Sequence, residues 1–292
     1  MLSEELLRKV RLIEITTRRA VDEAISGQYK SRFKGHGVQF SEHRLYVPGD
    51  DVRHINWNVS ARTKEPLVKQ FDEERELTVF LVVDISGSET FGTSNKLKSE
   101  IAAEIGGMLA YAASHTGDKV GLLIFAGDVE LIIPPKKGRQ HILRVIRELL
   151  VHTSHTQGTN LQGALEATGR IMKHSGVIFV ISDFITEGYE VALRRLSRKH
   201  EVVAVTVGDE REAEIPEIGQ ILFFNPETEQ EQLVDTSSYA FKKWFSAYQK
   251  QFEAKTKSAF KSSRVETLKV LTKEDYGEAV VRFFRARSRK RR

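Results

Sequence analysis

The sequence predicts a doubly wound α/β domain with a mostly parallel sheet, and three observations carry that prediction. From Leu77 onward, short runs rich in Val, Ile, Leu and Phe alternate with stretches of helical periodicity, the order that lays helices on both faces of one sheet. The runs lack polar alternation, as strands covered on both sides do. Two of them end in an aspartate, Asp84 and Asp183, and in such sheets ligands bind beyond the carboxyl ends of the strands.

Leu6, Val10, Ile13, Thr17 and Val21 recur at three- and four-residue spacing and predict an amphipathic helix over residues 2–25. It ends near the Gly- and Lys-rich stretch SGQYKSRFKGHG. From Val38 to Phe71, Pro48–Gly49, Asp50–Asp51 and Pro66 break the chain into short strands and turns without a long helix. The regular part follows. Strands are expected at 78–84, 119–126, 129–134, 176–183 and 201–207, with helices at 95–115, 138–151, 161–174 and 188–199. Only Gly127–Asp128 separates 119–126 from 129–134, which predicts an antiparallel edge hairpin. Beyond Gly208 come a hairpin around ILFFNPETEQEQLVD, a long helix at 237–260, a strand at 264–271 and a final helix. The expected organisation is an N-terminal helix and β-rich extension over 1–75, the α/β domain over 76–281 and a basic tail over 282–292.

With 292 residues and 40% hydrophobic content, the chain can bury a sizeable core. No apolar run approaches the roughly 20 residues that cross a bilayer. The N-terminus lacks the unbroken apolar centre of a secretory signal, so the expected location is the cytoplasm. The absence of cysteine excludes disulfides, thiolate metal sites and cysteine nucleophiles. The net charge is +5, but the last eleven residues, RFFRARSRKRR, carry seven basic groups; subtracting these leaves −2 for residues 1–281. The basicity belongs to the end of the chain, read as a solvated, frayed tail, and nucleic acid is not the expected partner.

Asp84, Ser86 and Ser88 leave the first core strand at alternate positions, Thr159 lies in QGTNL just before a helix, and Asp183 ends a later strand. If the strands at 78–84 and 176–183 are neighbours, these residues converge as five oxygen donors with no nitrogen or sulfur. Mg²⁺ takes such oxygen ligands octahedrally and keeps some of its waters. With two carboxylates and several hydroxyls around it, the ion would remain electrophilic and would gain from an outside carboxylate.

The D-x-S-x-S of Asp84, Ser86 and Ser88, followed by Thr159 and Asp183, resembles the metal-ion-dependent adhesion site of the von Willebrand factor A domain. YVPGDDVRHINWNVSARTKEPLVKQFDEERE (46–76), GVQF (37–40), PPKKGRQHILRVI (134–146), SDF (182–184) and the basic end resemble the bacterial family called domain of unknown function 58. The resemblance covers nearly the whole chain. It implies a von Willebrand A-like fold and Mg²⁺ or Mn²⁺ held by Asp84, Ser86, Ser88, Thr159 and Asp183. It further implies a non-catalytic protein-binding module acting as adaptor or co-chaperone of a MoxR-type AAA+ ATPase. Many members of that family have Met after the second serine, where this chain has Glu89, a carboxylate placed to fill the open metal position itself.

Other readings stay open beside this one. Ser and Asp after a strand also serve as turn and cap residues. A Mg²⁺-dependent phosphoryl-transfer enzyme would use Asp84 as nucleophile, but its second acid two positions on is here Ser86. No GxxxxGK[ST] or GxSxG is present. His152 and His155, in the loop before Thr159, read as solvated histidines. Arg53, Trp57 and Arg62 cluster upstream and, with Glu89, are candidate partner-binding residues. The plainer alternative makes Trp57 a core or inter-domain anchor and pairs Arg53, Arg62 and Lys69 with Asp72, Glu73 and Glu74.

Overall fold

The computed structural model describes residues 8, 10–13, 38–73, 77–87, 97–208, 219–225 and 230–289. The chain divides into two compact units, one of residues 30–77 and one of residues 1–29 with 78–292. Of the expected N-terminal helix, Arg8 and residues 10–13 are helical and the rest lies outside the described residues.

The smaller unit is built as its turn residues suggest. Strand β1 (Val38–Leu45) pairs antiparallel with β2 (Leu67–Glu73). Between them run a 3-10 turn (Val52–His54) and a short helix, α1 (Trp57–Thr63). Asp50 accepts the Val47 N–H at 2.9 Å and pairs with Arg44 at 2.7 Å. Asp51 caps the 3-10 turn by accepting the Arg53 N–H. Tyr46 N–H donates to Pro66 O at 2.8 Å, tying the loop to the start of β2.

In the larger unit, β3 (Thr78–Asp84) lies between β4 (Lys119–Phe125) and β6 (Val177–Ile181), parallel to both. Next to β6 come β7 (Glu201–Gly208) and then β10 (Glu266–Leu271), also parallel. Strand β5 (Val129–Lys136) closes the opposite edge, antiparallel to β4, as the Gly127–Asp128 turn predicts. A separate hairpin, β8 (Gln220–Asn225) with β9 (Gln230–Asp235), forms where ILFFNPETEQEQLVD predicts it.

Helices cover both faces. Phe80, Val82, Leu123, Phe125, Ile178, Val180, Val202 and Ala204 form one core with α4 (Leu161–Ile171), α5 (Glu190–Lys199) and the end of α6 (Tyr239–Ser263). On the other face lie α2 (Lys98–His115), α3 (Arg139–Val151) and α7 (Tyr276–Arg289). Phe179 meets Phe284 of α7 edge-on, with ring centroids 6.5 Å apart. Helix α2 is buried nearly all round, and Gly106 and Gly107 let neighbours close in: a Cβ there would lie 3.2 Å from Leu149 and 3.0 Å from Ile13.

The fold is the doubly wound α/β arrangement expected, with a mostly parallel central sheet and helices on both faces. Among the described residues no helix is long and apolar enough to cross a membrane. The basic end departs from expectation. Helix α7 continues through Arg289, so most of 282–292 is helical rather than frayed. Arg287 is held against Glu201 and Glu266, and its side chain is only 11% exposed.

A candidate metal centre at the carboxyl ends of β3 and β6

Strand β3 is followed by α2 on one face of the sheet and β6 by α5 on the other, so the crevice between their carboxyl ends is a topological switch point. Asp84 is fully buried there as the last residue of β3. One of its oxygens accepts the Ser86 N–H at 2.9 Å, turning the chain, and the other accepts the Ser182 hydroxyl at 2.7 Å. Burial pushes the Asp84 carboxyl up to about 6; the Ser182 and Ser86 hydrogen bonds pull it down, and the neighbouring Asp183 charge pushes it up.

Strand β6 stops at Ile181, two residues short of expectation, so Ser182 and Asp183 already lie in the turn. Ser182 donates to Asp84 and accepts the Phe184 N–H at 3.0 Å. Phe184 adopts a left-handed φ of 60°, a strained backbone for a non-glycine residue. Its fully buried ring is held against Tyr189 and Phe260, with centroids 5.7 and 4.9 Å away. Asp183 is thereby aimed back into the crevice. One of its oxygens accepts the Ile185 N–H at 2.9 Å, and the other pairs with Lys98 Nζ at 3.2 Å.

Thr159 arrives on a loop held from three sides. Glu130 on β5 accepts from the Ser154 hydroxyl, the His155 N–H and both the N–H and hydroxyl of Thr156, and it pairs with His152 at 3.0 Å. Burial alone would push the Glu130 carboxyl up, but the Thr156, His155, His152 and Ser154 hydrogen bonds win and hold it down at about 2. Asn160 N–H donates to Ala126 O at 2.7 Å, and the loop lies so close to Gly127 that a Cβ there would stand 1.9 Å from Gln157 O. The Thr186 hydroxyl donates to Thr159 O at 3.3 Å, joining this loop to the turn after Asp183.

The crevice thus gathers Asp84, Ser86 and Asp183 and brings Thr159 alongside through Thr186. Ser88 and Glu89 lie outside the described residues. Sequence reasoning missed Ser182, Lys98 and Glu130; Ser182 stood inside the SDF motif, but strand periodicity gave it no role. His152 is paired with Glu130 and only 15% exposed, which corrects its reading as a solvated loop residue. In the smaller unit, Trp57 is 67% exposed and therefore not part of that unit's core. Arg53 pairs with Asp51 at 2.7 Å and Arg62 is exposed; the side chains of 72–74 lie outside the described residues.

Among the described residues, no group of three or more His, Asp or Glu side chains is arranged to hold a metal. An ion in the crevice would have two carboxylates, with hydroxyls and water completing its shell. That donor set suits Mg²⁺, which binds through one or two carboxylates and keeps several waters. Each carboxylate oxygen already engaged has a second lone pair to offer.

Residues 42–255 match the family described as "Protein of unknown function DUF58". The chain belongs to that family. An uncharacterized protein of Mycobacterium tuberculosis is 33% identical to this DUF58 chain over 227 residues, 77% of the chain and 72% of the relative. An uncharacterized protein of Bacillus subtilis is 27% identical over 108 residues, 37% of the chain and 25% of the relative. Among solved structures, an aerotolerance-related membrane protein from Bacteroides fragilis superposes with a TM-score of 0.51 at 19% identity, covering 72% of the chain and 99% of that protein. At that identity the likeness is one of fold.

Proposed function

We propose that this DUF58 protein is a non-catalytic, protein-binding module whose docking depends on Mg²⁺ or Mn²⁺ held by Asp84, Ser86, Ser88, Thr159 and Asp183. Its partner would be a MoxR-type AAA+ ATPase, served as adaptor or co-chaperone, which offers a carboxylate to the metal. The observation that supports this reading best is the pair of carboxylates with enclosed side chains at the switch point, each oriented by hydrogen bonds and flanked by hydroxyl-bearing loops. The ion would supply an electrophilic point for the partner's acid. Asp84 and the turn at Ser86 would orient it, and the Glu130-held loop would present Thr159. Ser182 keeps Asp84 in place.

An aspartyl nucleophile needs an oxygen accessible to substrate. Asp84 is fully enclosed and both its oxygens already accept hydrogen bonds, which favours an orienting role over attack. Calorimetry of Mg²⁺ and Mn²⁺ binding to wild type and Asp84→Ala tests the site: binding by wild type alone is expected, and equal heats in both would sink it. Co-purification with the ATPase, with and without chelator, tests the partner; recovery unaffected by chelator would detach docking from the metal.

A further inference from the structure

Lys98 stands where elementary electrostatics disfavours a lysine. It is the first residue of the 18-residue helix α2, whose amino end carries partial positive charge. Glu100 in the same turn obeys that field, reaching back to the Leu97 N–H at 3.2 Å; Lys98 opposes it. Lysines ordinarily run their stems along the surface and keep the ammonium in water, yet the Lys98 side chain is 0% exposed. Its Nζ lies 3.2 Å from an Asp183 oxygen, and the Asp183 side chain is itself 4% exposed. An enclosed ammonium is retained only where negative charge compensates its lost hydration. Asp183 supplies that charge, and the fully buried Asp84 lies near enough for the two carboxylates to feel each other.

We infer that Lys98 is a resident counter-cation, which holds the acid pair together while no metal is bound and yields Asp183 to an incoming divalent ion. This rests on the metal reading above and adds its regulation. With Lys98 in place the two carboxylates and one ammonium sum to −1. A divalent ion joining these three groups would bring their sum to +1, whereas an ion replacing the ammonium brings the sum to zero. Charge balance in a low-dielectric site therefore favours exchange over co-occupancy. Lys98 makes the metal-free site stable and the metal affinity correspondingly weak. Because the displaced residue opens α2, loading of the metal is passed directly to the start of that helix.

Two variants and a double variant test the inference. In chelator, Lys98→Met should lower the melting temperature by roughly 5 °C, because it leaves Asp183 buried without its ammonium. Lys98→Met with Asp183→Asn should recover most of that loss. Calorimetry should show Mg²⁺ binding to Lys98→Met tightened on the order of tenfold over wild type, since the competing charge is gone. Lys98→Gln keeps a hydrogen-bond donor without the charge and should also bind Mg²⁺ more tightly, which covers the case in which the methionine variant does not fold. Two results overturn the exchange while leaving the metal site standing: unchanged or weaker Mg²⁺ affinity in the variants, or a stability loss that Asp183→Asn fails to relieve. Absence of Mg²⁺ binding in wild type and variants alike would instead overturn the metal reading and the exchange with it.

Discussion

Two acids organise the carboxyl side of this sheet, and they do so in opposite ways. Glu130, on the edge strand β5, gathers donors from His152, Ser154, His155 and Thr156, and their combined hydrogen bonding overcomes burial to hold its carboxyl at about 2. Asp84, on the central strand β3, is more deeply enclosed and accepts from Ser86 and Ser182, and there burial prevails, lifting it to about 6. The number of donors converging on each carboxylate decides the outcome. Glu130 is a finished structural clamp. Asp84, with Asp183 beside it, is a carboxylate whose burial outweighs the hydrogen bonds given to it.

The comparison breaks most visibly at the clamp. Glu130→Ala removes the acceptor of five loop donors at once and should destabilise the protein by about 3 kcal/mol in urea unfolding. Because Thr159 rides on the same loop, Mg²⁺ affinity should fall as well. Gly127→Ala strikes the same loop from beneath, since its Cβ would meet a backbone oxygen and not a yielding side chain; it should cost a similar amount. Either variant retaining wild-type stability would show that the loop does not need the clamp.

At the other acid, Ser182→Ala deletes one hydroxyl that serves two partners, leaving an Asp84 oxygen and the Phe184 N–H without it. The expected loss is about 2 kcal/mol, read by chemical denaturation. Were the loss no larger than that of an exposed serine, water would be replacing the hydroxyl, and the crevice would be wetter than the enclosure of Asp84 implies.

The pH dependence of Glu130 is smaller and has a definite sign. Its carboxyl is depressed from an ordinary value of 4.5 to about 2. Its ionised form therefore contributes stability that is fully present above about pH 4.5 and is lost as pH falls through about 2. Glu130→Gln lacks that contribution at every pH. The stability gap between wild type and Glu130→Gln should thus be constant near neutrality and close progressively between pH 4.5 and 2. A gap that stays level across that window would mean that the carboxylate's charge plays no part in the clamp.

These contrasts also show what the sequence could and could not disclose. The run TVFLVVD is legible because a strand buried on both faces admits little but β-branched and aromatic residues, and the structure places β3 over the same seven residues. Asp84 and Asp183 are legible because they interrupt apolar runs where such sheets bind ligands. Lys98 and Ser182 are not, because each acquires its role from a partner 85 or 98 positions away. Locally, Lys98 reads as one more solvated lysine and Ser182 as an ordinary strand residue. Glu130 is hidden for the same reason: on a half-exposed edge strand an acid reads as solvated, and only the folded loop shows otherwise.

The smallest expected effect on stability lies in the 30–77 unit and sharpens the comparison from outside. Trp57 is 67% exposed at the start of α1, and Arg53 close by has a side chain 85% exposed. A tryptophan that buries so little apolar area contributes little to folding, so Trp57→Ala should change stability by no more than about 0.5 kcal/mol. Large exposed aromatics beside arginines are the residues that dominate binding at protein interfaces. If this unit docks the partner while the crevice supplies the metal, Trp57→Ala should weaken ATPase capture and leave Mg²⁺ affinity at the wild-type value, the converse of Asp84→Ala. Capture and metal binding falling together in Trp57→Ala would refute that division, and undiminished capture would remove Trp57 from the interface.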